Sequence, residues 1–378
     1  MTSKSKSRKS APAKKAAGRQ PTSGWVPTHF FQEQLKGEQA LTYDTAAWLY
    51  SLAYQLITAQ PWMLLQDGDL ILLKDRRTGE MNYCSVMGAG GEVFSFQIYR
   101  GDETYRMFRK VAAGAKLEIV DFIAVQNCIS VEFVGAKEVT RPDRDWLNAF
   151  GHPKDKGIMS PILRTIRPGY QPWYITETEG LILAECLDAG LTFFEELLRT
   201  KNRNWWQEKD VYPFLVPKSD EPDPDYEIQT IRAPEPPMAL PQPPTPDETR
   251  MRNFTERDLA VAGPIEIDLR NSMVRVGRKN ERPGFIRLAL AADGESGFLY
   301  APHMPTPEQS VGDALATTLL DAIENIGAVP KEVRVKRSEF KALLDPMARR
   351  LGSAVVVKKS LPALDPPMEQ MLRMVEGQ

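Results

Sequence analysis

Cysteine and histidine are scarce in these 378 residues, with three of each. Cys84, Cys128 and Cys186 are odd in number, widely spaced and without a CxxC pair, which leaves neither a disulfide framework nor a zinc ribbon. His29, His152 and His303 fall in three separate regions, none at i, i+3 or i, i+4 spacing from another ligand. Each reads as a surface or capping residue, so neither metal nor cofactor is expected. No run of about 18 apolar residues occurs, and the N-terminal stretch lacks the apolar core of a secretory signal. The expectation is a cytoplasmic protein with no membrane contact. GKS, GKT, HExxH and GxSxG are also missing. The one glycine-rich loop, Gly88 to Gly91, leads into a strand, whereas a phosphate cradle leads into a helix. It therefore reads as a hairpin turn.

Acidic residues are missing from the first two dozen positions, where Lys4, Lys6, Arg8, Lys9, Lys14, Lys15 and Arg19 stand among Ser, Ala and Pro. The formal net charge of -2 is thus split between a tail of seven cations and a remainder of about -9. Residues 1–24 are expected to be a disordered basic tail, because they have too little apolar surface to offset the entropy of ordering. An acidic body cannot act as one broad basic surface, so affinity for nucleic acid has to come from the tail or a local patch.

Residues 38–212 read as an α+β module. A helix starts near Asp44, with Trp48, Leu49, Leu52 and Leu56 on one face and Pro61 beyond its end. The runs Leu70 to Lys74, Met81 to Met87 and Glu92 to Arg100, separated by RRTG and GAGG, predict an antiparallel meander. A helix over 102–112 and a strand over 129–134 follow. Thr176 and Glu179 form a capping box at the head of a long helix whose stripe is Leu183, Leu187, Leu191, Phe194 and Leu198.

Eleven of the thirty prolines fall between Pro213 and Pro246, several beside acids. Residues 213–252 therefore predict an extended acidic linker, interrupted at most by a short strand around Tyr226 to Ile231. PPMALPQPPTP within it is a candidate for a polyproline-binding partner, with a plain spacer as the alternative.

Residues 255–378 read as an α/β module. Phe285 to Ala292 and Phe298 to Met304 flank DGESG as a hairpin. A helix begins at Thr306 or Ser310 and ends at Gly327; a strand covers 332–336. A second helix follows Ser338 and carries Pro346, which predicts a kink. A strand over 354–357 and a last helix close the chain. Strand, helix, strand in this length implies a right-handed crossover with parallel pairing.

The stretches ERPGFIRLALAADGESGFLY and EVRVKRSEFKALLDPMARRLG resemble a bacterial domain family of unknown function. PWMLLQDGDLILL, YCSVMGAGGEVFSFQIYRG and RPGYQPWYITETE resemble a second. The C-terminal element order also resembles the ribonuclease H and transposase–integrase group. That last resemblance implies two metal ions held by carboxylates on the first strand, a later strand and a helix. Asp293 is the matching residue on the first predicted strand. The basic VRVKR at 333–337 stands where an acid would be needed, and Glu324, Asp365 and Glu369 do not complete the set, so a non-catalytic version is implied. Asp293 also suits a turn in its own right.

Two segments mix cations and aromatics, as single-strand binding surfaces do: RTIRPGYQPWY, with Arg164, Arg167, Tyr170 and Trp173, and KNRNWW, with Arg203, Trp205 and Trp206. Loops with aromatics packed under prolines are the alternative. The expectation is a non-catalytic binding or adaptor protein with a protein partner. The alternative is a nucleic-acid-binding protein or a divalent-metal nuclease relative.

Overall fold

The computed structural model describes residues 38–114, 122, 125–151, 159–201, 204–219, 221, 224–233, 235, 243–257, 259–277 and 281–377. The basic tail, His29, His152, Arg203 and most of the PPMALPQPPTP motif lie outside them.

In the first half, α1 (Tyr43–Ala59) starts two residues earlier than Asp44 as a cap would set it. Thr42 is its cap, accepting from the Thr45 amide at 3.3 Å, and Asp44 sits in the first turn. The helix stops at Gln60, whose φ of 48° turns the chain into Pro61. Strands β1 (Ile71–Lys74), β2 (Met81–Met87), β3 (Phe94–Arg100), β4 (Cys128–Val134) and β5 (Ser160–Ile166) pair antiparallel in chain order. Helix α2 (Gly101–Ala112) follows β3, and α3 (Arg141–Ala149), which was not expected from the sequence, precedes β5. The long helix α4 (Glu177–Thr200) opens on the Thr176–Glu179 capping box.

Alternation along the strands gives the sheet two apolar faces. Cys84, Val86, Phe96, Ile98, Ile129 and Val131 lie under α1 and α4, while Leu70, Leu72, Tyr83 and Tyr99 lie with Tyr105 of α2. Full burial of each large side chain is worth about 1.5–3 kcal/mol.

Parts of the expected linker form strand and helix. Strand β6 (Val211–Pro217) pairs parallel with β1 and antiparallel with β7 (Tyr226–Arg232), completing a seven-stranded sheet ordered β5-β4-β3-β2-β1-β6-β7. Helix α5 (Glu248–Glu256) buries Met251 and Phe254 in the second core. Proline count misled here for a physical reason. Only Phe214 and Leu215 of β6 pair with β1, so Pro213 and Pro217 fall outside that register.

The second half holds β8 (Ala260–Ala262), β9 (Ile265–Val276), β10 (Gly284–Asp293), α6 (Val311–Ile326), β11 (Ala328–Pro330), β12 (Glu332–Val335), α7 (Ser338–Arg350), β13 (Ala354–Val357) and α8 (Asp365–Glu376). Its four-stranded sheet runs β10-β9-β12-β13, with β10 antiparallel to β9 and the other pairs parallel. Strands β8 and β11 form a separate parallel pair. The chain after β10 returns beside it through Ala292–Leu299 and Ala289–His303 bridges. Ser310, not Thr306, caps α6, and Gly327 ends it with φ of 69°. Helix α7 continues through Pro346, and Ser338 is its first residue rather than its cap. Ile265, Ile267, Leu269, Val333 and Val335 pack beneath α6 and α7; Leu288, Leu290 and Ala292 pack with Leu361, Leu364 and Met368 around α8.

Candidate functional site: a closed ion cluster and an open junction

The sequence placed a first metal ligand at Asp293, and the structure gives that residue another task. It is the last residue of β10, and β9 precedes that strand. Its Oδ1 accepts from the amides of Glu295 and Ser296, at 3.1 and 2.6 Å, and from the Ser296 hydroxyl at 2.7 Å. Those bonds, the Ser296 amide first, hold the carboxyl below its usual range and consume one oxygen in the turn.

Carboxylates do gather in this half, on the face of β9 opposite its apolar one. Glu266 and Asp268, both buried, alternate with Ile265, Ile267 and Leu269 and point toward α8. The cluster is closed by cations. Arg270 donates to Asp268 at 3.0 Å and to Asp365 at 2.7 Å, and the Lys336 ammonium reaches both Asp365 oxygens at 2.9 and 3.1 Å. Burial alone would raise the Asp365 carboxyl. The Leu361 amide and the Lys336 charge outweigh it and hold the group below its ordinary value. Glu266 behaves oppositely: burial pushes its carboxyl up against the pull of the Ala363 and Leu364 amides, at 2.9 and 3.1 Å. Among the described residues no group of three or more His, Cys, Asp or Glu is placed to hold a metal ion.

The aromatic–cationic segments are not brought together. Arg164 forks onto the buried Asp143 of α3 at 2.9 and 2.6 Å and lies 5.0 Å from the Tyr174 ring. Arg167 bridges Glu38 and Glu179, each at 2.8 Å. Trp173 pairs its backbone with Thr165 and stands edge-on to Tyr174. Farther along the sheet, beside β6, Trp205 and Trp206 pack edge-on against Phe193, and the Trp206 indole donates to the Leu70 carbonyl at 2.9 Å. Strands β1 to β4 lie between β5 and β6, a separation of roughly 24 Å.

What RPGYQPW does instead is join the two sheets. Gly169, with φ of 80°, presents its carbonyl to the Phe285 amide at 3.1 Å, and the Gln171 amide donates to Pro283 at 2.9 Å. The Gln171 side chain spans Met273 and Arg275, both at 2.7 Å. The Tyr170 hydroxyl donates to Glu308.

Beside this junction lies a cleft of about 570 Å³, lined by Tyr170 from the first half and by Val276, Arg282, Ile286, Arg287 and Pro305 among others from the second. Both Nη atoms of Arg282 are buried there without a hydrogen-bond partner. Burial, then the neighbouring Arg167 charge, pushes its guanidinium down to about 10 against the opposing pull of Glu179, Glu38 and Tyr170. Arg287, 7 % exposed, donates from one Nη to the carbonyls of Thr306 and Gln309 at 3.1 and 2.6 Å, and burial lowers it too. Neither arginine has a carboxylate partner among the described residues. In the sequence, ERPG at 281–284 carries only a family resemblance. Its signal was present: an arginine beside a proline and a glycine at the head of an almost wholly apolar strand.

Residues 47–214 match the model of a domain of unknown function (DUF7309), and residues 251–372 match that of a second domain of unknown function (DUF6930). The two resemblances drawn from the sequence fall on these two domains, one per large sheet, and β7 lies between the matches. No curated protein and no solved structure matches the chain. No helix among the described residues is long and apolar enough to cross a membrane.

Proposed function

We propose that this chain is a non-catalytic binding protein of two domains, the second a ribonuclease H-like fold whose polar centre has been closed by cations. The sheet order β10-β9-β12-β13, flanked by helices on both faces, supports the fold reading. The functional reading is carried by one observation: Arg270 and Lys336 occupy Asp365, so the carboxylates that would have to clamp two metal ions are already neutralised from within. Metal ions would have to displace cations that already neutralise these carboxylates.

The test is titration of the full chain with magnesium and manganese by calorimetry, alongside cleavage assays on labelled single- and double-stranded DNA and RNA. No saturable metal uptake and no cleavage are expected. Metal-dependent cleavage that disappears in Asp365→Asn or Asp268→Asn would overturn the reading and restore the nuclease alternative.

A further inference from the structure

An arginine buried without a partner is costly, because the charge has lost water and gained nothing in exchange. The other partly buried arginines show the usual remedy. Arg164 has Asp143, Arg167 has Glu179, Arg250 has Asp321 and Arg270 has Asp365. Arg282 and Arg287 stand apart from this pattern and line the same cleft.

We propose that the junction cleft is a binding site for a small organic anion, with Arg282 and Arg287 taking its carboxylate or phosphate and Ile286, Val276 and Pro305 receiving its apolar body. Three features carry this. The two unpartnered Nη atoms of Arg282 form a fork, and a guanidinium fork fits two oxygens of one carboxylate or phosphate. The cleft volume is that of a small-molecule site, a few hundred cubic ångströms, and its wall sets Val276, Ile286, Met304 and Pro305 beside the two arginines. Finally, the carboxylates at the cleft select for size. Glu308 is taken by the Tyr170 hydroxyl and Glu281 lies exposed, while Glu179 and Glu38, whose charges also reach Arg282, are both paired with Arg167. That arrangement, on an acidic body, repels a nucleic-acid backbone and admits a compact anion. The Arg282 nitrogens are covered by protein, so the ligand's oxygens reach them by displacing packing atoms at the junction. Binding therefore acts on the contact between the two domains.

The site rests on the preceding reading only in being one of binding rather than turnover. Metal-dependent cleavage would sink that reading and leave the anion site standing; failure of anion binding would do the reverse. The experiment is calorimetric titration of the full chain, at low salt, with phenyl phosphate, phenylacetate and the neutral 2-phenylethanol. At least one anion is expected to bind saturably and more tightly than the alcohol, and the better one names the acidic group. Arg282→Gln is expected to weaken binding ten-fold or more, and Arg282→Lys less. The unliganded Arg282→Gln protein should melt no lower than wild type, because the arginine makes no internal bond with its Nη atoms. Anions that bind no better than 2-phenylethanol, unchanged affinity in Arg282→Gln, or a lowered melting temperature in that variant would each overturn the proposal.

Discussion

Glu179 shows how one side chain can be spent on structure in a segment that reads, from sequence, as a binding surface. Its oxygens accept from the Thr165 hydroxyl at 2.9 Å, from Arg167 at 2.8 Å and from the Thr176 amide at 2.9 Å, tying β5, the junction loop and the head of α4 together. Burial would raise this carboxyl, but Arg167 and the Thr176 amide more than compensate and hold it below its ordinary value. A depressed carboxylate contributes stability that is present above the unfolded pKa and lost as pH falls through the folded one. The wild-type protein should therefore lose stability below about pH 4.5, and Glu179→Gln should flatten that part of the profile. Glu179→Ala, which leaves Arg167 with only the surface Glu38, is expected to cost on the order of 3 kcal/mol in chemical denaturation. A loss under 1 kcal/mol would show that the network is not holding the loop. The same reasoning applies to the predicted nucleic-acid residues: Arg164→Ala strips Asp143 of its fork and should read out first as lowered stability. The capping box was legible because it is local, three residues apart. The identity of the Arg164 and Arg167 partners was not, because a sequence does not say which acid a cation will meet.

At the scale of elements, apolar periodicity located most helices and strands, and what it missed has definite causes. Strand β9 alternates Ile265, Ile267 and Leu269 with Glu266, Asp268 and Arg270, a plain period of two. Charged positions are ordinarily read as solvent-facing, yet here Glu266 and Asp268 are buried and their face of the strand meets α8. The segment leading into that helix is anchored by acceptors as well as by apolar contact, since one Glu266 oxygen takes both the Ala363 and Leu364 amides. Glu266→Ala should leave those amides unpaired, at a cost of about 2 kcal/mol, and accelerate hydrogen exchange over residues 361–372. Glu266→Gln keeps an acceptor oxygen and removes a charge that burial penalises. A raised carboxyl favours the folded state as pH falls and loses that advantage as pH rises through the folded value, so the Gln variant should match or exceed wild type at neutral pH. Unchanged exchange over 361–372 in Glu266→Ala would mean that Leu361, Leu364 and Met368 alone seat the helix.

For the whole molecule, two cores were legible from length and from the two blocks of periodic sequence. The contact between them was not. It is built by residues about a hundred positions apart, such as Gln171 with Met273 and Arg275, and nothing local marks such a pair. The junction depends on close backbone approach at two glycines. A Cβ on Gly169 would come within 3.1 Å of the Pro307 carbonyl and would have to adopt φ of 80°; one on Gly284 would stand 2.6 Å from the Pro307 ring. Proline cannot swing aside as a long side chain would, so added volume at Gly284 has to be relieved by moving Pro307 away from the Gly169–Gln171 loop. Gly284→Val is accordingly expected to loosen the two domains while leaving each core intact. Small-angle scattering should give a larger radius of gyration than wild type, with unchanged far-ultraviolet circular dichroism. Calorimetry should separate the unfolding of the two halves. If the cleft is the anion site, the same substitution weakens phenyl phosphate or phenylacetate binding even though both arginines remain, because Gly284 itself lines the cleft and Tyr170 of the first domain closes one side of it. An unchanged radius of gyration together with full anion affinity would show that the glycines are incidental and that the domains are held by other contacts.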